Sequence, residues 1–444
     1  MYQEIQWTWT PDGLAVEPTR QADGNYDTWL NTAKKKGIEI VFCPNRVPNW
    51  WYVSEQRQSD GEWPDRRLHK WGGKGTDPRE YYDICQYYWQ LTARYGREKY
   101  DESMLFVNAK PRWNNDPTTK KLSGLNLLNY LEVENEPDRP WKDAEHKYTP
   151  EQYAALLSAA YDGHEGRLGP TGIKNADPTM KVVMGGLSAI DIPYLERMNL
   201  WFKSNRTDKK FPCDVINVHH YTNLNNPFPG NSINLVGGKG VSPEADYLGF
   251  RLKSLTDWVK VNLGKKEIWY SEFGWDTQTM PNPWISQYPF LYNRRTAEEL
   301  QAIWAVRAYL IAIESGINVS HFYNAIDEPG ASTGNLFQSS GMSTSQATGY
   351  KRKQSFYDVG WLVKQLKGYK FIKSHQTVKG VKVLEFKNGF RYRYFYWSPT
   401  SNDTVVRFKI GTTTLDATEK VNSFNSDRSF FDKIIGKDPK VSNE

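Results

Sequence analysis

The chain has 444 residues, 39% of them hydrophobic, and a formal net charge of +6 from 57 Lys+Arg against 51 Asp+Glu. That length accommodates a barrel of about 250 residues plus one small domain, and no apolar run approaches the roughly 20 residues that a membrane-spanning helix requires. The basic residues are scattered apart from short clusters such as Lys34-Lys35-Lys36 and Lys351-Arg352-Lys353, which solvated helix faces explain, and no nucleic-acid motif accompanies them.

The N-terminus, Met1-Tyr2-Gln3-Glu4-Ile5-Gln6-Trp7, lacks the charged-then-apolar pattern of a secretion signal and reads as a strand. A helical stretch from Asp27 to Lys36 then leads into the apolar run Ile38 to Phe42, as a βαβ unit requires. In chain order, strands are expected at 2–7, 38–43, 128–134, 181–187, 215–221, 267–272 and 317–323. Helices are expected at 80–95, 150–161, 248–261 and 296–314. Long crossovers between apolar strands imply a parallel sheet, and strand ends carrying polar motifs on this scale imply an α/β fold of the (β/α)8 TIM barrel type over residues 1–365. Seven strands are counted, so the first βα unit is expected to precede Met1 or to be contributed atypically. The segments 222–247 and 324–349, rich in Asn, Gly, Ser and Pro, follow barrel strands where loops build substrate clefts.

Beyond Lys364 the pattern alternates with period two in Val381 to Phe386, Tyr392 to Trp397 and Val405 to Ile410, predicting a small β-sandwich over 366–425. A polar tail, expected to be loosely ordered, occupies 426–444. Cys43, Cys85 and Cys213 have no C-x-x-C spacing, which supports neither a zinc ribbon nor a redox pair, and no metal or other cofactor is expected. The chain is unusually aromatic, with 18 Trp and 27 Tyr, and flat rings stack on sugar C–H faces. Trp89, Trp258 and Trp304 sit in helical patterns where core packing accounts for them, so only the loop tryptophans bear on a carbohydrate partner.

Two strand ends carry carboxylates. Leu128 to Val133 runs into Glu134-Asn135-Glu136-Pro137, where the proline stops the strand and Glu136 projects from the end at which barrels place their catalytic groups. Ile268-Trp269-Tyr270-Ser271-Glu272-Phe273-Gly274 ends in Glu272, with a glycine that lets the chain turn. Between them, Asp214 to Tyr221 ends in His219-His220-Tyr221, and Tyr221 is the candidate to hold a carboxylate ionised by hydrogen bonding. Adjacent histidines on a strand point to opposite faces and no H-E-x-x-H spacing is present, so a metal pair is disfavoured.

These motifs resemble those of glycoside hydrolase clan A, and within it most nearly those of family 39. Arg94-Tyr95-Gly96 resembles that family's R-Y-G helix, and Tyr130 to Pro137 its strand ending in N-E-P. Asp214…His219-His220-Tyr221 resembles its D-x-x-x-x-H-x-Y strand, and Ser271-Glu272-Phe273 its T-E-F. The similarity covers roughly residues 1 to 365, and an accessory β-sandwich is typical of the family. Glu134 stands where many members have Trp, and Tyr323-Asn324 where clan members often carry a Trp on the last strand.

The resemblance implies a retaining mechanism, with Glu136 as acid/base, Glu272 as nucleophile and Asn135 on the sugar 2-hydroxyl. Trp50, Trp51, Trp141 and Trp275 follow strand ends and are candidate sugar platforms, with His219, Tyr221 and Tyr323 as further substrate contacts. The expected substrate is a polysaccharide or oligosaccharide, cleaved by endo-action, with xylan, β-glucan and an acidic or sulfated β-galactan all open. The expected setting is secreted, periplasmic or cell-surface. Alternatives are an exo-acting β-xylosidase-like glycosidase, a transglycosylase, or a non-catalytic carbohydrate-binding barrel. The last would keep the aromatic platforms and lose a carboxylate, whereas both glutamates are present in this chain. A solenoid is disfavoured because no fixed-period repeat appears.

Overall fold

The computed structural model of the protein describes residues 2–4, 7–10, 13–16, 25–46, 73–107, 118–142, 144, 146–223, 240–278, 295–329, 337–375, 380–399, 405–410, 413–427 and 441–443. The chain divides into two compact units, 1–218 with 259–267 and 219–258 with 268–444.

The first unit opens with three short strands, β1 (Tyr2–Glu4), β2 (Trp7–Thr10) and β3 (Gly13–Val16). A single strand is expected over 2–7, but β1 covers only its start, and Trp7 begins an antiparallel hairpin that pairs it with Val16. The reason lies in the sequence: Trp7-Thr8-Trp9-Thr10 alternates with period two and is followed by Pro11-Asp12-Gly13, a set of turn residues.

Helix α1 (Tyr26–Lys35) follows, capped by the Asn25 side chain on the Thr28 N–H. Strand β4 (Val41–Arg46) begins three residues later than the expected Ile38. Gly37, at φ +67°, donates to the Lys34 carbonyl while the Ile38 N–H bonds back to Ala33, so Ile38 closes the helix before any strand can start.

Strands β5 (Tyr130–Val133), β6 (Lys181–Met184) and β7 (Val215–His219) continue the parallel series: β1 pairs with β4, β4 with β5, β5 with β6, and β6 with the start of β7 at Val183 and Val215. Leu131, Val133, Val182, Val183, Met184, Val215, Ile216 and Val218 are all buried. Parallel strands covered on both faces read as near-continuous apolar runs, which is how these appear in sequence.

Helices α2 (Tyr82–Tyr95), α3 (Pro150–Asp162), α4 (Ile173–Ala176) and α5 (Ile192–Asn205) complete the unit. The Arg94-Tyr95-Gly96 segment has a structural role. Arg94 Nε and the Tyr95 hydroxyl reach Asp27 Oδ1 of α1 at 2.9 and 2.8 Å, and a Cβ on Gly96 would meet the Thr92 carbonyl oxygen at 2.7 Å.

In the second unit β8 (Glu267–Glu272) pairs in parallel with β9 (Val319–Ser320). Helices α6 (Leu248–Asn262), α7 (Ala297–Glu314) and α8 (Gln354–Leu366) accompany them. Helix α7 starts at a reciprocal capping box, Thr296 with Glu299, and is apolar on nearly all sides because it is buried on nearly all sides.

The remainder forms two antiparallel sheets. One runs in the order β10 (Lys370–His375), β11 (Lys382–Asn388), β12 (Arg391–Trp397), β15 (Asn422–Asp427); the other in the order β14 (Thr413–Ala417), β13 (Val406–Ile410), β16 (Val441–Asn443). Val383, Tyr392, Tyr394 and Tyr396 from the first share a core with Val406, Phe408, Ile410 and Ala417 from the second. Phe395 lies on the opposite face of β12 and packs edge-on against Trp361 of α8 at 6.1 Å. Burial on both faces explains the nearly unbroken aromatic run of β12. The end of the chain, read from sequence as a polar tail from Ser426, contributes the last two residues of β15 and all of β16.

Phe408 is fully buried between the two sheets, so Phe408→Ala is expected to lower stability by about 3–5 kcal/mol through lost transfer energy and the cavity left behind. A denaturant midpoint within error of the wild type would show that the two sheets do not share that core.

Candidate active site

A regular strand continued from Glu132 would present Glu132, Glu134 and Glu136 on one face. That does not happen, because Glu134 and Glu136 both take left-handed backbone, at φ +69° and +46°. The three carboxylates therefore enter three environments. Glu132 is buried and accepts from the Gly186 N–H at 3.0 Å and the Asn217 side chain at 2.8 Å. Glu134, fully buried, is held by Arg139 at 2.9 Å, by the Asn135 N–H at 3.1 Å and by the Tyr148 hydroxyl at 3.3 Å. Glu136 is half-buried, its backbone fixed by an N–H to the Gly186 carbonyl at 3.0 Å.

Close backbone approach enforces this arrangement. A Cβ on Gly185 would lie 2.5 Å from the Glu134 carbonyl oxygen and 2.6 Å from that of Val133. The Tyr153 hydroxyl donates to the Val133 carbonyl at 2.7 Å and accepts from the Gly185 N–H at 2.6 Å, tying the ends of β5 and β6 together. Asn135 donates its N–H to Glu134, and its carbonyl accepts from Arg139 at 3.0 Å. Its side-chain oxygen is buried with no hydrogen-bond partner among the described residues. A buried acceptor left this way is costly unless a ligand or water satisfies it. Asp138 accepts from the Ser188 N–H at 2.9 Å and its hydroxyl at 2.7 Å, yet desolvation, aided by the nearby Glu136 charge, pushes its pKa up to about 6.

At the end of β8, Glu272 is 7% exposed. The Tyr221 hydroxyl donates to its Oε2 at 2.8 Å, and His219 Nδ1 lies 3.5 Å from the same oxygen. The backbone is fixed as well, with the His220 N–H on the Glu272 carbonyl at 3.1 Å. The His220 ring turns the other way, its Nε2 2.6 Å from Asp246, which Arg251 in turn holds at 3.1 Å. The two adjacent histidines therefore serve different carboxylates and do not converge as a metal pair. A hydroxyl donor on a carboxylate favours its ionised form, against the opposing effect of burial.

Other residues expected at the site fall differently. Trp50 and Trp51 lie outside the described residues. Trp141 is exposed, 46%, with its ring available to solvent. Trp275 is not a platform: it is 1% exposed, its ring 5.6 Å from that of Trp304 and its N–H on the Val241 carbonyl at 3.1 Å, so it belongs to the core. Gly274 is forced by the carbonyl of Tyr323, against which any Cβ would collide, and the Tyr323–Asn324 peptide is cis. Tyr323 is half-buried and meets Phe337 edge-on at 5.8 Å.

Sequence reasoning passes over Phe337, which also stacks on Tyr221, and over Asp246 and Arg251. Nothing in the local pattern marks them, since their partners are distant in the chain.

Among solved structures, the chain is similar to a family 39 glycoside hydrolase from the gut symbiont Bacteroides cellulosilyticus WH2, at 14% identity and a TM-score of 0.57 over 95% of this chain and 74% of that one. It is also similar to SrfJ from Salmonella typhimurium, at 11% identity and a TM-score of 0.50 over 96% and 78%. A family 30 subfamily 8 xylanase from Clostridium acetobutylicum aligns at 12% identity and a TM-score of 0.46 over 91% and 84%. No protein-family model and no curated protein matches the chain. At these identities the likeness is one of fold, and the fold is shared with a family 39 glycoside hydrolase.

Asp138 supplies a pH test of the β5 end. Its folded pKa lies above the ordinary carboxylate value, so its contribution to stability is full below about pH 4 and is lost as pH rises through about 6. Asp138→Asn should remove that component, flattening the melting temperature between about pH 4 and 7 relative to wild type. Identical pH profiles for the two proteins would rule out a desolvated carboxyl at this position.

Proposed function

We propose that the protein is a retaining glycoside hydrolase built on a (β/α)8 barrel, with Glu272 as nucleophile and Glu136 as acid/base. The observation that carries this reading is the Tyr221 hydroxyl donating to Glu272 at 2.8 Å, a hydrogen bond of the kind that favours the charged form of a buried strand-end carboxylate. Likeness of fold to a family 39 glycoside hydrolase supports it.

In the first step Glu272 attacks the anomeric carbon while Glu136 protonates the departing oxygen. In the second, Glu136 deprotonates a water that displaces the sugar from Glu272. Carboxyls serving this double displacement stand about 5–5.5 Å apart. Glu136 is the half-buried member of its trio, which fits a group that must exchange protons with substrate and water. The buried Asn135 side-chain oxygen, without a partner among the described residues, suits a sugar 2-hydroxyl, a contact that strengthens as the transition state forms.

The substrate we propose is a β-linked polysaccharide cleaved internally, with the exposed Trp141 as one stacking surface. The net charge of +6 makes an acidic or sulfated glycan a reasonable member of any panel, beside xylan and β-glucan. An exo-acting glycosidase is the second reading. The proposed domains are the barrel over 1–365 and a β-sandwich over 366–425, the latter resting on the core shared by its two sheets. The proposed setting is outside the cytoplasm, where polysaccharides are met.

Glu136→Gln and Glu272→Gln should each lower turnover on the preferred polysaccharide by about a thousandfold or more while leaving the melting temperature near wild type. Product sizes resolved over the panel separate internal from terminal cleavage. Wild-type rates in both variants would refute the assignment.

A further inference from the structure

Phe337 takes left-handed backbone, at φ +67°, a conformation that is unusual for a bulky residue and that persists only when the surroundings enforce it. The enforcement is visible. Asp276, fully buried four residues after Glu272, accepts the Phe337 N–H at 3.1 Å and the Ser339 N–H and hydroxyl at 3.0 Å each. The Phe337 carbonyl takes the Ser340 hydroxyl at 2.7 Å. Lys353 bonds the Ser339 carbonyl at 2.8 Å and Asp327 at 2.7 Å, a buried ion pair that anchors the same segment.

The strained residue is not simply filling the core. Its side chain is half-buried, with one face stacked on Tyr221 at 4.2 Å and 29° and with Tyr323 edge-on to it. Tyr221 is the residue whose hydroxyl holds Glu272. A phenol pivots about its side-chain torsions, so a ring laid against it fixes where the hydroxyl points.

Resting on the assignment of Glu272 as nucleophile, we propose that Phe337 is a positioning residue: Asp276 forces it into a strained turn so that its ring clamps Tyr221 on the carboxylate.

The decisive variant is Phe337→Gly, because glycine accepts the left-handed backbone and removes only the ring. Phe337→Tyr restores a ring. Wild type, both variants and Glu272→Gln are compared by the rate of covalent labelling with 2,4-dinitrophenyl 2-deoxy-2-fluoro β-glycosides of xylose, glucose and galactose, read by intact mass, and by kcat and KM against pH on the matching aryl glycosides.

Phe337→Gly is expected to melt at or above the wild-type temperature, yet to label about ten- to a hundredfold more slowly, the loss falling mainly on kcat. The acid limb of its kcat/KM profile should move to higher pH, since a carboxylate that loses its hydroxyl donor is easier to protonate. Phe337→Tyr should recover most of the rate. If Phe337→Gly labels within about twofold of wild type with an unmoved acid limb, the clamp is disproved while the nucleophile stands, provided Glu272→Gln takes no label. If Glu272→Gln labels like wild type, or if wild type neither labels nor turns over any member of the set, the functional reading falls and this proposal falls with it.

Discussion

A β-strand alternates its side chains, so three glutamates at every second position should share one face, one field and mutual repulsion. The chain escapes this by leaving the extended conformation just as β5 ends. Glu134 and Glu136 take left-handed backbone, and the carboxylates of Glu132, Glu134 and Glu136 are thereby sorted into a hydrogen-bonded one, an ion-paired one and one left half-buried. The contortion depends on Gly185, beside which the β5 carbonyls pass too closely for any side chain, and on Tyr153, which bonds both strand ends. The proposed role of Glu136 rests on that sorting, since Glu132 and Glu134 are sealed in the interior while Glu136 is half-buried.

Glu272 is handled by the opposite strategy. It closes a regular strand, and its charge is managed through side chains from the end of β7, with Tyr221 and His219 turned towards it and His220 turned away to Asp246. One carboxylate is thus set by unusual backbone and the other by hydrogen-bond donors. The proposed double displacement asks for such different surroundings, because one of its two carboxyls must carry a proton while the other carries a charge.

Much of this is legible in the sequence because the periodic signals are strong. Each of the seven expected runs overlaps a strand, and Glu136 follows the end of β5 while Glu272 ends β8. Misreadings arise where local chemistry outweighs periodicity. Ile38 looks like a strand residue, but its N–H is needed to close α1 after Gly37. The strand expected over 2–7 stops at Glu4, and Trp7 instead opens a hairpin to Val16. Trp275 follows Ser271-Glu272-Phe273 and is expected from that position to face sugar, but its partners Trp304 and Val241 lie far off in the chain and draw it into the core. Phe337 is the converse case: a residue with no motif, placed against Tyr221 by a buried aspartate and a buried ion pair that no spacing rule encodes.

If Glu272 forms a covalent bond to the sugar, the anomeric carbon is inverted once by that attack and a second time by water. Proton NMR of the first seconds of hydrolysis of a β-glycoside substrate reads this directly, before mutarotation equilibrates the product. Double displacement at Glu272 makes the β-anomer appear first and the α-anomer only later. Initial appearance of the α-anomer would mean a single displacement, and neither Glu272 as nucleophile nor Glu136 as its acid/base partner would survive that result.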